Sequence, residues 1–197
     1  EMLWNHADMF VLNVSSPNTP GLRELQEVDH LASILTECKM MSERKGGGKP
    51  LLLKLSPDNS DDEIIASAQM ALRKGIDGFV ATNTTLHRPV PRNATSRGVF
   101  AESGGLSGRP LQERSNEVIR LLYEEAQSTV PIVGVGGIDS VDTAWQAVSS
   151  GASLLQLYSA LVFNGPSVVS CIVKGLRKRV KENGFLSIEE AVGLDIT

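Results

Sequence analysis

Five short aliphatic runs recur along the 197-residue chain, and a helical pattern follows each of them. The runs are continuously hydrophobic rather than alternating, which is typical of strands buried on both faces of a parallel sheet. A repeated strand–helix order of this kind is compatible with two architectures, a doubly wound sheet and a (β/α)8 barrel. The predicted strands are residues 10–14, 51–55, 78–82, 131–135 and 153–158.

Several segments between these strands carry helix signals. Ser60 and Glu63 have the spacing of a capping box, and Gly75 is a suitable stop for the helix that follows. Ser140 is the predicted N-cap of a later helix. The polar stretches 45–49 and 89–100 are predicted to be loops. Apolar stripes at helical spacing lie at residues 31–38, 64–72, 141–148 and 168–180.

The turns after the strands favour the barrel. A dinucleotide-binding sheet opens with Gly-x-Gly-x-x-Gly after its first strand, whereas this chain has Asn-Val-Ser-Ser-Pro-Asn from Asn13 onward. Polar residues follow each strand at the end where barrel active sites are built. A complete barrel takes about 250 residues. We therefore expect 1–197 to be the last five units of a (β/α)8 barrel domain whose N-terminal portion is absent from the chain.

Composition excludes some functions. The net charge of −4 gives no reason to expect a nucleic-acid partner. No apolar run reaches the roughly 18 residues of a membrane span. The three histidines are scattered and predict no metal site. Cys38 and Cys171 are predicted to be buried, reduced thiols rather than a disulfide.

Polar side chains cluster where the first three strands end. Asn13, Ser16 and Asn18 follow the first strand, and two amides there could hold a planar polar ligand; a plain turn is the alternative. Lys54 lies between two leucines of the second strand, so it either meets an anion or extends to the outer rim. The segment 82–85 adds three threonines and an amide.

The last two predicted strands each end in a turn that leads into a helix. Gly136 and Gly137 form the first of these turns, and Tyr158 and Ser159 form the second. Because glycine lets main-chain N–H groups approach an anion and helix N-termini favour negative charge, this pair of turns predicts a phosphate site; tight turns alone are the alternative. The glycine-rich segment 103–110 indicates either a chain passing close to a flat ligand or a flexible loop.

In their order and spacing these segments resemble the dihydroorotate dehydrogenases, over nearly all of the chain. Class 1 members of that family usually carry cysteine at the position of Ser16, so the serine indicates the membrane-associated, quinone-linked class 2. The matching segments are 13–19, Lys54, 82–85, 104–108, 134–137 and 158–159.

The resemblance implies an FMN-dependent enzyme of pyrimidine biosynthesis that oxidises dihydroorotate to orotate and passes electrons to ubiquinone. Ser16 would take the C5 proton while hydride moves from C6 to flavin N5. The positions that match pyrimidine-binding residues are Asn13, Asn18, Asn83 and Thr84. The positions that match flavin-contacting residues are Asn13, Lys54, Thr82, Ser107, Gly108, Gly136, Gly137, Tyr158 and Ser159.

The same resemblance implies membrane association through the absent N-terminal region. It places the protein at the mitochondrial inner membrane, with the bacterial plasma membrane as the alternative. Two other functions remain open. One is a different FMN-dependent barrel oxidoreductase, which would keep the phosphate glycines without needing Asn13, Asn18 and Asn83 together. The other is a catalytically inactive barrel that only binds flavin.

Overall fold

The computed structural model describes residues 2–16, 28–91 and 94–196 and shows a parallel five-stranded sheet with helices. The strands are β1 (Phe10–Asn13), β2 (Leu51–Leu55), β3 (Gly78–Ala81), β4 (Ile132–Val135) and β5 (Leu154–Gln156). The helices are α1 (Val28–Arg44), α2 (Asp61–Arg73), α3 (Ala94–Phe100), α4 (Gln112–Ala126), α5 (Val141–Ser149), α6 (Ser159–Asn164) and α7 (Ser167–Glu182). Three 3-10 turns are Trp4–His6, Arg109–Leu111 and Ile188–Ala191.

The strand order decides between the two architectures. Each strand pairs in parallel with the next one along the chain, in the order β1-β2-β3-β4-β5. A doubly wound sheet would reverse direction at a switch point, which this order does not do. Successive helices also pack side by side, α1 on α2, α2 on α4, α4 on α5 and α5 on α7. The prediction of consecutive barrel units is confirmed, and the barrel is not closed within this chain.

The two faces of the sheet carry different cores. Leu53, Phe79 and Ile132 lie on the outer face in the large cluster with the helices. Leu52 and Val80 lie in a small separate cluster on the inner face. Since side chains alternate along a strand, Lys54 shares the inner face with Leu52. The outer-rim interpretation of this lysine is therefore excluded.

Helix α2 begins as its sequence predicts. The Ser60 hydroxyl accepts from the Glu63 main-chain N–H at 3.3 Å, and the Glu63 carboxylate accepts from the Ser60 N–H at 2.8 Å. Ser140 caps α5 in the same reciprocal way with Thr143. Both boxes satisfy N–H groups that a helix start leaves without an intrahelical partner. These caps fix where the helices leave the carboxyl ends of β2 and β4.

Three expectations were wrong. The stretch 89–100, predicted to be a loop, contains α3 at Ala94–Phe100, because its polar sequence shows no apolar stripe that would have indicated a short helix. Cys171 is exposed and Cys38 only half-buried, although both are free as expected. Cys171 lies on α7 beside Val169 and Val173, which are also exposed, so the buried stripe of that helix is narrower than predicted. None of the described helices is long and apolar enough to cross a membrane.

Candidate active site

A cleft of about 940 Å³ opens at the carboxyl ends of β2 to β5. Every predicted flavin-contacting residue lines it except Asn13. Asn83 and Thr84 of the predicted pyrimidine set line it as well. Ser16 is half-buried just beyond β1 and is not among the residues that line the cleft. Asn18 lies outside the described residues.

Asn13 joins the site through Asn83. The Asn83 amide nitrogen donates to the Asn13 side-chain oxygen at 3.0 Å and to the Ser15 hydroxyl at 3.1 Å. The Ser15 hydroxyl in turn donates to the Asn13 oxygen at 3.3 Å. The Asn83 side-chain oxygen accepts from the Thr84 main-chain N–H at 2.9 Å. These bonds bring the two predicted amides together and fix the orientation of both side-chain amides.

Lys54 brings a positively charged side chain to the cleft. Its register partner in β1 is Asn13, so the two residues are neighbours on the same face of the sheet. The structure gives Lys54 no hydrogen bond or ion pair with any residue that it describes. Burial lowers the pKa of Lys54, because desolvation disfavours the charged form. An amine held in this way is stabilised by an anionic or electron-rich ligand in the cleft.

We expect Lys54→Met to stabilise the cofactor-free, full-length protein at neutral pH. A lysine whose folded-state pKa lies below the unfolded value of about 10.4 destabilises the fold while it is charged. That cost disappears as pH rises from the folded-state pKa toward the unfolded one. Urea unfolding from pH 7 to pH 10 should therefore show the advantage of the variant shrinking with pH. Lys174→Met, at an exposed lysine, is the control. A difference in the free energy of unfolding between Lys54→Met and the wild type that does not change with pH would contradict the explanation.

The glycine turn after β4 packs against the start of α4. Gly136 has φ +142° and Gly137 has φ +69°. A Cβ on Gly137 would lie 2.5 Å from Gln112 Cβ and 2.8 Å from Gln112 Cα, and one on Gly136 would lie 2.0 Å from the Ser115 hydroxyl oxygen. The turn therefore has no room for side chains on its α4 side. Bare main chain lines the cleft here, as the predicted phosphate site requires.

Ser115 supports this wall and was missed from the sequence. Its hydroxyl is buried, lies 2.9 Å from the Thr82 hydroxyl and donates to the Val135 carbonyl at 3.2 Å. The Thr82 main-chain N–H donates to the same carbonyl at 2.7 Å. Ser115 thus ties the ends of β3 and β4 to α4. The detectable signal was a serine within the apolar stripe of α4, which continues through Val118 and Leu122.

The opposite wall comes from the glycine-rich segment and α6. The hydroxyls of Ser107 and Ser159 lie 2.8 Å apart, and Gly108 (φ +85°) packs near Ser159. Tyr158 is 76% exposed and precedes α6, which has no side-chain cap. The start of α6 therefore lies at the cleft, and no side chain of its N-cap residue caps it.

Three further cleft residues were missed. Arg109 Nε donates to Asp139 Oδ2 at 2.5 Å, which links the glycine-rich segment to the turn before α5. Gln156 is on the inner face of β5 and lines the cleft. Neither the ion pair nor the inward-facing glutamine could be recognised without the strand register, because each depends on which elements become neighbours.

Comparisons with known proteins show the family to which the chain belongs. The family model described as "Dihydroorotate dehydrogenase" matches residues 1–180. A "Dihydroorotate dehydrogenase (quinone)" of Trichodesmium erythraeum is 45% identical over 197 residues, which is 98% of this chain and 51% of that protein. One of the same name from Streptomyces coelicolor is 41% identical over 198 residues, which is 100% of this chain and 54% of that protein.

A solved structure has the same fold over nearly all of this chain. The crystal structure of ligand-free DHODH from Eimeria tenella superposes with a TM-score of 0.87 at 36% sequence identity. The match covers 96% of this chain and 56% of that one. This chain thus spans about half the length of the curated relatives that it matches.

Proposed function

The chain belongs to the dihydroorotate dehydrogenase family, and we propose that the protein containing it oxidises dihydroorotate to orotate in pyrimidine biosynthesis, with FMN as cofactor. One observation carries the proposal. A single cleft is lined by eight of the nine flavin-matching residues, Lys54 among them, and by the Asn83–Thr84 pair, in a chain of this family.

The residues present fit FMN. The cleft volume of about 940 Å³ lies within the range of cofactor pockets. Gly136 and Gly137, which have no space for a side chain, present main-chain N–H groups to a phosphate, and Tyr158 and Ser159 complete that end. Lys54 would face the ring with its positive charge. Thr82, Ser107 and Gly108 would contact the remainder of the cofactor.

Each residue has a task that follows from its chemistry. FMN, when bound, supplies the hydride acceptor. Lys54 favours negative charge on the ring electrostatically, because it lies in a partly desolvated position where charge interactions are strong. Asn13, Asn18, Asn83 and Thr84 would hold the pyrimidine through amide and hydroxyl hydrogen bonds.

Ser16 is the proposed base for the C5 proton of dihydroorotate. A serine hydroxyl is a weak base at its ordinary pKa, so it requires hydrogen-bonded groups that carry the proton onward. Its place in the chain, three residues after Asn13 at the carboxyl end of β1, supports the assignment. Barrel enzymes draw their catalytic groups from such strand ends.

The names and organisms of the relatives support a proposal for the electron acceptor and the location. Their names carry the word quinone, and we propose a quinone, specifically ubiquinone, as the acceptor. Relatives from bacteria such as Trichodesmium and Streptomyces argue against the mitochondrial inner membrane. The alternative, the bacterial plasma membrane, fits them. Association with it is assigned to the half of the protein that this chain does not span.

The test is anaerobic mixing of the full-length, purified protein with dihydroorotate while flavin absorbance is followed near about 450 nm. Bleaching that recovers when a ubiquinone analogue is added supports substrate, cofactor and acceptor together. A yellow protein that stays yellow would keep the flavin site but exclude dihydroorotate, which leaves another flavin oxidoreductase or an inactive barrel. A colourless protein would exclude the cofactor assignment.

A further inference from the structure

Residues 86–91 leave the end of β3, and residues 94–105 return to the wall of the cleft; we call these described residues the crossover loop. Its base is closed by two main-chain hydrogen bonds, from Thr85 N–H to the Leu106 carbonyl at 3.1 Å and from Leu106 N–H to the Thr85 carbonyl at 2.7 Å. Asn83 and Thr84 line the cleft just before this base, and residues 106–108 line it just after. The base of the loop is therefore part of the cleft wall.

Arg88 follows this base in the chain and donates hydrogen bonds to main-chain carbonyls on both sides of the crossover loop. Its guanidinium has five N–H donors in a rigid planar fork, which suits several acceptors at fixed positions. All the acceptors are carbonyls of the loop or its base, so the contacts fix the path of the backbone. The contacts are Nε to Phe100 at 3.3 Å, Nη1 to Thr85 at 3.0 Å and to His87 at 3.5 Å, and Nη2 to Glu102 at 3.4 Å and to Gly104 at 2.5 Å.

Other contacts hold the neighbouring parts of the wall. Asp58, in the turn between β2 and α2, accepts from the Thr85 hydroxyl and from the Leu86 N–H. The hydroxyl of Ser107 lies 2.8 Å from that of Ser159, the first residue of α6. Between these two anchors, Arg88 donates to the carbonyls of Glu102 and Gly104. Glycines have little intrinsic preference for one conformation, so contacts of this kind restrict the path of the segment.

We propose that Arg88 is a positioning residue, which holds segment 104–108 in the conformation that contacts the cofactor. The part of this inference that concerns the cofactor rests on the proposed function. The part that concerns the backbone of 104–108 does not.

The test compares Arg88→Gln with Arg44→Gln in the full-length protein. Arg44 is the control, because it is an exposed arginine that also donates to a main-chain carbonyl, that of Met40 at 3.3 Å, and this acceptor lies in α1, outside the crossover loop and its base. Two quantities are measured: hydrogen–deuterium exchange of segment 104–108 without cofactor, and the equilibrium dissociation constant of FMN. Arg88→Lys is the conservative variant, whose ammonium lacks the planar fork.

Arg88→Gln should speed exchange in segment 104–108 and weaken FMN binding about tenfold or more, since bonds from a charged donor are lost. For both quantities Arg88→Lys should lie between Arg88→Gln and the wild type, and Arg44→Gln should match the wild type. Unchanged exchange in Arg88→Gln, or an equal rise in Arg44→Gln, overturns the proposal. Faster exchange with unaltered FMN affinity overturns the cofactor part. If the wild type binds no FMN, the proposed function fails, and exchange alone decides the role of Arg88.

Discussion

Gly137→Ala is expected to yield a full-length protein that is less stable and purifies without cofactor. The added Cβ would lie 2.8 Å from Gln112 Cα and 3.0 Å from Gln112 N, so the main chain of α4 would have to move. The residue would also be held at φ +69°, which costs a non-glycine residue about 1 kcal/mol. Overpacking adds typically 1–3 kcal/mol. We therefore expect a loss of about 2–4 kcal/mol in the free energy of unfolding.

Gly98→Ala provides the matched control for this substitution. Gly98 lies in α3, and a Cβ there would meet nothing within 4 Å. Alanine should leave cofactor content unchanged and stabilise the protein by about 0.5–1 kcal/mol, because glycine is unfavourable inside a helix. Urea unfolding and the ratio of flavin to protein absorbance measure both variants. If Gly137→Ala is as yellow and as stable as the wild type, α4 moves aside at little cost in free energy. That result would contradict the prediction that the added Cβ cannot be accommodated beside Gln112.

The main elements could be predicted because their signals are local. The strand of Leu51–Leu55, the capping box at Ser60 and the stripe of α5 each depend on residues only a few positions apart. The same holds for the order of the strands, since a repeated strand–helix pattern leaves few topologies. Helix α3 was missed because its seven residues show no clear apolar stripe in the sequence.

The support of the site could not be predicted in the same way. Ser115 acts on Thr82, and Arg109 acts on Asp139, across 33 and 30 positions of sequence. Such pairs depend on the register of β3 with β4 and on the approach of α4. The sequence left open whether the Lys54 side chain points to the inner or the outer face of the sheet. The register of β2 with β3 places it on the same face as Leu52 and Val80, which is the inner one.

Ser16→Ala should lower the rate of flavin reduction by dihydroorotate by about 10²–10⁴, the usual contribution of a general base. Binding should survive, because the alanine removes a proton acceptor but none of the pyrimidine amides. Stopped-flow absorbance gives the reduction rate, and perturbation of the flavin spectrum by orotate gives the affinity. The exposed Ser170→Ala on α7 is the control, for which both quantities should match the wild type.

Ser16→Cys separates a base from a residue that only fills space. A thiol has an ordinary pKa of about 8.5, so it forms a proton acceptor in an accessible pH range, whereas serine does not. If Ser16 takes the C5 proton, the cysteine variant should regain part of the rate lost in Ser16→Ala, and its rate should rise with pH as the thiolate forms. If Ser16 has only a packing role, alanine and cysteine should differ little, and neither should change the pH dependence. If Ser16→Ala reduces its flavin at the wild-type rate, Ser16 is not the base, and another residue takes the C5 proton. That conclusion would hold even though dihydroorotate bleaches the flavin of the wild type.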